Sequence, residues 1–247
     1  MMIHSFLIIG QSNMGGRGFI NEAIDVDRER LKVLKNGRWQ KMFRPVNPDR
    51  FTSGVNLAES FAEKYSKEFD VDVGIIPCAD GGTCLDQWCV GGLLYDHAVY
   101  QTRLALRTSN LAGILWHQGE SDCHSNRQAE YGKKLKIIME SFRKDIGEPD
   151  VPIIVGGVGD FIKEYGLDDP KPINDQLQEF AKNDRRSAFA SAEGLGHNGD
   201  NLHFNAKALH EFGLRYYKAF LEVCDKNRVF VDKCDPDDAL RSEMEKL

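Results

Sequence analysis

Short apolar runs alternate with longer helical patterns along most of this chain, and that alternation restricts the fold more than any single motif does. The runs are SFLII (5–9), VDVGII (71–76), LAGILW (111–116), VPIIVG (151–156) and, more weakly, SAFASA (187–192). Each is too short for a helix and rich in strand formers. Mostly apolar strands need cover on both faces, and helical patterns over about 55–69, 95–109, 126–144 and 174–185 supply it. A last helix over 205–223 repeats Ala206, Leu209, Gly213, Tyr216 and Phe220 at three- and four-residue spacing, with Asn205 as its cap. The expected architecture is a three-layer α/β/α domain around a parallel sheet of about five strands.

Two segments depart from the alternation. Residues 17–54 are long, polar and rich in Arg, Asn, Asp and Pro, and read as an excursion above the sheet with a small hairpin near 34–39 that could form a substrate wall. Residues 225–247 turn charged around Asp235, Pro236, Asp237 and Asp238 and then read as a short peripheral helix. The division expected is one domain over 1–224 and a C-terminal extension, 225–247, packed on or beside it. A chain of 247 residues can build its own core, burying roughly three quarters of its unfolded surface. No internal repeat is present.

Composition narrows the partners. With 32 Lys and Arg against 38 Asp and Glu, the net charge of -6 disfavours broad binding to nucleic acid or an anionic membrane. The opening MMIHSFLIIGQ has no basic n-region or cleavage site and is far too short to span a bilayer, so a cytoplasmic location is expected. Six cysteines are too few to require a disulfide framework and match no strong zinc spacing, so separate thiols are expected. A homo-oligomer stays open.

The chemistry-bearing residues fall just after the apolar runs. Ser12, in GQSNM, follows the first strand, where ligands of open α/β sheets bind, although a serine before a helix also serves as a cap. The segment is not a G-x-S-x-G elbow, because Met14 takes the final position. In GDNLHF, Asp200 stands three residues before His203, so that the aspartate can orient the imidazole and the imidazole can take the Ser12 proton. The alternative is a turn aspartate and a packed histidine. WHQGESD places His117, Gln118, Glu120 and Asp122 after another strand; Gln118 can donate to developing negative charge, whereas an ionised Glu120 only accepts. Gly81 and Gly82, in ADGGT, allow close approach of a substrate to a backbone N–H, or simply make a turn.

Taken in order, GQSNMGGRG, ADGGTCLDQW, WHQGESD and DNLHF resemble the SGNH-hydrolase superfamily, in particular the sialate O-acetylesterase and family 6 carbohydrate acetylesterase (acetylxylan esterase-like) group, over most of residues 3–222. The resemblance implies a single flavodoxin-like domain and a serine esterase with Ser12 as nucleophile, His203 as base and Asp200 as acid. It implies an oxyanion hole made by the N–H of Ser12, the N–H of Gly82 and the side chain of Gln118, which stands where the broader superfamily commonly has asparagine. Glu120 is then expected to order its loop or lie near His203. Trp88 is a candidate apolar wall for a sugar face, and Arg17 a candidate for holding the first loop or touching substrate. No metal or organic cofactor is implied. The substrate implied is an O-acetylated mono- or oligosaccharide, with xylo-oligosaccharides first and sialate esters as the alternative.

Two other classes compete. A metal hydrolase could draw ligands from His117, Glu120, Asp122, His124, Asp200 and His203, although no H-E-x-x-H is present. A noncatalytic carbohydrate-binding protein could use Trp88, Trp116 and the polar rim without cleaving anything. Chelator sensitivity would mark the first; glycan binding without acetate release would mark the second.

Overall fold

A computed structural model describes residues 2–233. The five expected strands are present as β1 (Ile3–Gly10), β4 (Asp72–Pro77), β5 (Asn110–His117), β6 (Ile153–Gly156) and β7 (Ser187–Ala190). Among the described residues the sheet has seven strands rather than the expected five: with β2 (Leu31–Lys35) and β3 (Arg38–Lys41) added, the order is β3-β2-β4-β1-β5-β6-β7. The two additions form the hairpin of the 17–54 excursion. Instead of standing above the sheet, it joins the edge. β2 runs parallel to β4, with Val33 opposite Ile75, whereas β3 pairs antiparallel to β2 and makes the sheet mixed. Leaving the hairpin aside, β1 lies between β4 and β5, so the connection from β1 to β4 runs one way along the sheet and the connection from β4 to β5 crosses back the other way. The C-terminal ends of β1 and β5 therefore open a crevice, the usual ligand position in such sheets.

The helices are α1 (Ser12–Gly15), α2 (Leu57–Phe69), α3 (Leu93–Ala105), α4 (Ser125–Gln128), α5 (Tyr131–Ile146), α6 (Ile162–Tyr165), α7 (Lys171–Asn183) and α8 (Ala206–Val223). β1 shows why the central strands read as unbroken apolar runs. Phe6 and Ile8 enter the core under α2 and α8, while Leu7 and Ile9 enter the core under α3, α5 and α7. Complete burial of such a side chain contributes roughly 1.5–3 kcal/mol, so both faces hold the strand in register. Helix α2 begins in a capping box between Asn56 and Glu59, and Asn205 caps α8 through the N–H of Ala208.

The extension is described as far as Lys233. Residues 225–233 run without regular structure against the end of the sheet remote from the crevice: Asn110 Nδ2 donates to the carbonyl of Val231, and the Phe230 ring lies 3.9 Å from that of His4. The peripheral helix expected beyond Pro236 lies outside the described residues. Cys78, Cys84, Cys89, Cys123 and Cys224 are free thiols, and Cys234 also falls outside the described residues. Among the described residues, no helix is long and apolar enough to cross a membrane.

Candidate active site

Ser12 opens α1 directly beyond β1. The carbonyl of Gln11 accepts the N–H of Met14 at 3.0 Å and of Gly15 at 2.9 Å, which closes the tight turn and presents Ser12 at the crevice. The turn is short and is held from outside by amide side chains. Asn56 Nδ2 donates to the carbonyls of Met14 and Gly15, and Asn13 Oδ1 accepts the N–H of Phe204 at 3.1 Å. Asn13 Nδ2 donates to Glu120 Oε1 and to the carbonyl of Leu202. Asn13 thus grips the backbone on both sides of His203.

That grip brings together residues 191 positions apart. His203 Nε2 lies 3.0 Å from Ser12 Oγ, and His203 Nδ1 lies 2.7 Å from Asp200 Oδ2. Asp200 Oδ1 accepts the N–H groups of Leu202 and His203, closing the turn that carries the imidazole. Partial burial pushes the Asp200 carboxyl up, but these two N–H groups and the His203 side chain more than offset it, leaving the carboxyl below its ordinary range. An ionised Asp200 only accepts, so the hydrogen sits on Nδ1 and Nε2 is left with a lone pair facing the serine hydroxyl.

Glu120 is almost completely buried, and the structure places it beside His117 rather than His203. Its Oε1 lies 3.1 Å from His117 Nε2 and also takes the Asn13 bond. Burial raises this carboxyl, but the adjacent His117 and the two hydrogen bonds bring it below the usual carboxylate range. Glu120 therefore reaches the His203 loop through Asn13.

Arg17 forks onto Asp49 with bonds of 3.1 and 2.7 Å, and Asp49 Oδ2 also accepts the N–H of Gly81 at 2.8 Å. Burial raises the Asp49 carboxyl, yet Arg17 and the Gly81 N–H hold it below its ordinary value. Arg17 lines the cleft with both ends of its fork engaged, which suits holding a loop better than grasping a ligand. Asn47 adds a two-way bond to the N–H and carbonyl of Ala79. Gly82 then turns at φ +78, where a side chain would be strained, and nothing lies within 4 Å of where its Cβ would be. Among the described residues, the N–H groups of Ser12 and Gly82 have no backbone acceptor.

Two expectations need correction. Trp88 has no exposed surface and forms no wall: it packs edge-on against Trp116 at 5.5 Å and donates to Thr83 Oγ1, anchoring the 80–88 loop from beneath. Gln118 is equally buried, and its Nε2 faces Gln11 Oε1, the Thr83 carbonyl and Asp122 Oδ2 at 3.1, 3.1 and 2.6 Å. Two amide hydrogens meet three acceptors, so neither is left for an oxyanion. Reading a motif along the chain does not reveal which loop residues point inward.

Asn13, Asp49 and Asn56 were missed as site residues. The only available signal was the density of Asn and Gln around Ser12 and the NPDR turn at 47–50. Of the candidate metal ligands, His117 pairs with Glu120, Asp200 with His203 and Asp122 with Gln118, and no three His, Cys, Asp or Glu side chains are grouped as a metal site among the described residues. The cleft above Ser12 has a volume of about 540 Å³, and Gly82, His203, Arg50, His124, Arg127 and Tyr165 are among its lining residues.

Known proteins share this fold. An Arabidopsis thaliana protein named a probable carbohydrate esterase is 28% identical over 244 residues, covering 87% of this chain and 89% of that one. Its crystal structure superposes with a TM-score of 0.81 at 24% identity, over 90% of this chain and 99% of that one. A carbohydrate acetylesterase from Xanthomonas citri follows at 0.71 and 16% identity, over 90% and 56% of the two chains. NanS stands at 0.68 and 18%, over 90% and 97%. These structural likenesses show a shared three-layer α/β/α fold. The family described as carbohydrate esterase, sialic acid-specific acetylesterase matches residues 2–222, and the chain belongs to it, as a serine esterase that removes O-acetyl groups from carbohydrates.

Proposed function

We propose that Ser12, His203 and Asp200 carry the reaction, and that the sugar bears a carboxylate, as a sialate does. The observation that carries the first part is the unbroken path from Ser12 Oγ through the imidazole to Asp200 at the floor of an open cleft. His203 Nε2 takes the serine proton as Oγ attacks the acetyl carbonyl, and the carbonyl π pair moves onto oxygen. The N–H groups of Ser12 and Gly82 receive that charge. When the intermediate collapses, the C–O bond to the sugar breaks and His203 returns the proton to the departing oxygen. Water then repeats the attack on the acetyl-serine, releasing acetate and restoring Ser12.

The sialate reading is preferred to the xylo-oligosaccharide one because of the family description and the charge at the cleft mouth. Exposed Arg127 lines the cleft, and its one described side-chain hydrogen bond goes to the carbonyl of Ser121. Its remaining N–H groups suit a carboxylate. Acetate release should be measured on O-acetylated sialic acid, acetylated xylo-oligosaccharides and a small neutral acetyl ester. The sialate is expected to give the highest kcat/KM, and Arg127→Ala should raise KM for it roughly tenfold, in keeping with a partly exposed charge-assisted bond. Turnover of the neutral ester should not change. Equal kcat/KM on the sialate and the xylo-oligosaccharides, together with an unaltered KM in the variant, would overturn the substrate assignment.

A further inference from the structure

Gln11 immediately precedes the nucleophile, and its side chain sits at the centre of a bonding pattern that the reaction described above leaves unused. Its Oε1 accepts from Gln118 Nε2 at 3.1 Å, from the N–H of Ser121 at 3.3 Å and from the N–H of Gly119 at 3.4 Å. A carboxamide that turned over would aim its own N–H groups at three other donors, so this amide has one allowed orientation. The Nε2 of that amide has no acceptor among the described residues. It is not a sealed, unpartnered buried atom either, and Gln11 lines the cleft next to Ser12.

We propose that Gln11 Nε2 is the side-chain donor of the oxyanion hole, acting with the N–H groups of Ser12 and Gly82. Gln118 is then a positioning residue, acting on the oxyanion only through Gln11. The division follows from what each amide has left to give. Gln118 spends its hydrogens on protein acceptors, one of which is the oxygen that fixes Gln11. Gln11 spends its oxygen on the protein and keeps its hydrogens. A donor locked in place before the reaction needs no reorganisation when charge develops, and such preorganisation gives oxyanion holes their effect. Being adjacent to Ser12 in the chain, the donor also stays in register with the nucleophile.

This inference rests on the serine-esterase reading, and the experiment separates the two. Gln11→Glu keeps an oxygen for Gln118, Gly119 and Ser121 but replaces the N–H donors with a second oxygen. Gln11→Met removes the donors together with that oxygen, without adding charge. Both variants, checked for folding by thermal unfolding, should be assayed on a neutral acetyl ester and titrated with a boronic acid that forms a tetrahedral adduct on serine. Loss of an oxyanion donor is expected to lower kcat by about 10²- to 10³-fold, with KM changing less than about threefold and adduct affinity falling in step with kcat/KM. Gln118→Met should weaken the adduct by a smaller factor, because Gln11 is loosened rather than removed.

Gln11 variants that keep kcat within threefold, or that lose kcat while binding the boronic acid as tightly as before, overturn the assignment. So does a Gln118→Met variant that loses more adduct affinity than Gln11→Met. Ser12→Ala in the same assay isolates the underlying reading. Continued acetate release by Ser12→Ala would remove the esterase mechanism itself, whereas an inactive Ser12→Ala alongside active Gln11 variants removes only the role of Gln11.

Discussion

Ser12→Ala is expected to lower kcat/KM for acetyl-ester hydrolysis by a factor on the order of 10⁴ or more, with thermal unfolding close to wild type. Only the hydroxyl is lost, and its one described partner is His203 Nε2. The scaffold around it is independent of that oxygen, because Asn56 and the Gln11 carbonyl hold the turn through main-chain groups. His203→Ala should approach the same floor, and the double variant should fall little further, since nucleophile and base work as one unit. Acetate release under saturating and limiting ester provides the check. A Ser12→Ala enzyme within tenfold of wild type would show that the hydroxyl is not the attacking group.

Glu120→Ala should have the largest effect on stability. The carboxylate is about 1% exposed and shares its oxygen between His117 and Asn13, so its removal takes the acceptor from a buried imidazole and one of two acceptors from a buried amide. Breaking a buried pair of this kind costs roughly 3–5 kcal/mol, which in a chain of this size lowers Tm by roughly 10 °C. Activity should also fall, because Asn13 would lose one of the bonds that aim it at the His203 loop. The pH dependence gives a second signature. A carboxyl held below its ordinary value contributes stability that is fully present above the unfolded-state value, about 4.3 for Glu, and that is lost as pH falls through the folded-state value. The gap in stability between wild type and Glu120→Ala should therefore be wide near neutrality and narrow below about pH 4. A gap that stays constant or widens on acidification would exclude an ionised, paired Glu120.

The strands were legible because burial on both faces leaves a mark that needs no knowledge of neighbours: Phe6 to Ile9 are apolar without interruption, as a central strand requires. The hairpin near 34–39 was legible as a hairpin, but not as part of the sheet, because its membership depends on Val33 meeting Ile75 some forty residues away. The same contrast holds in the site. Asp200 and His203 are three residues apart, within reach of one turn, so the sequence alone brings them within pairing distance. Trp88 and Gln118 defeat the sequence reading because one ends a short 3-10 turn and the other stands on a loop at the rim, where a side chain can face cleft or core with equal ease. Trp116 and Thr83 draw the first inward, and Gln11 and Asp122 draw the second. Asp49 was invisible as a site residue because its partners, Arg17 and Gly81, come from two other segments.

The nucleophile turn and the loops around it are secured by neutral carboxamides, Asn13, Asn47, Asn56, Gln11 and Gln118, and by carboxylates buried against their partners. Dissolved ions screen exposed charges over about 8–10 Å but act weakly on buried bonds between dipoles. Ionic strength therefore distinguishes two parts of the same cleft. Molar salt should leave turnover of a neutral ester nearly level, because the holding bonds do not respond to it. The same salt should weaken capture of an anionic sugar, because the exposed Arg127 does respond. Salt tolerance in this protein is thus a property of the catalytic frame, and salt sensitivity a property of the guest.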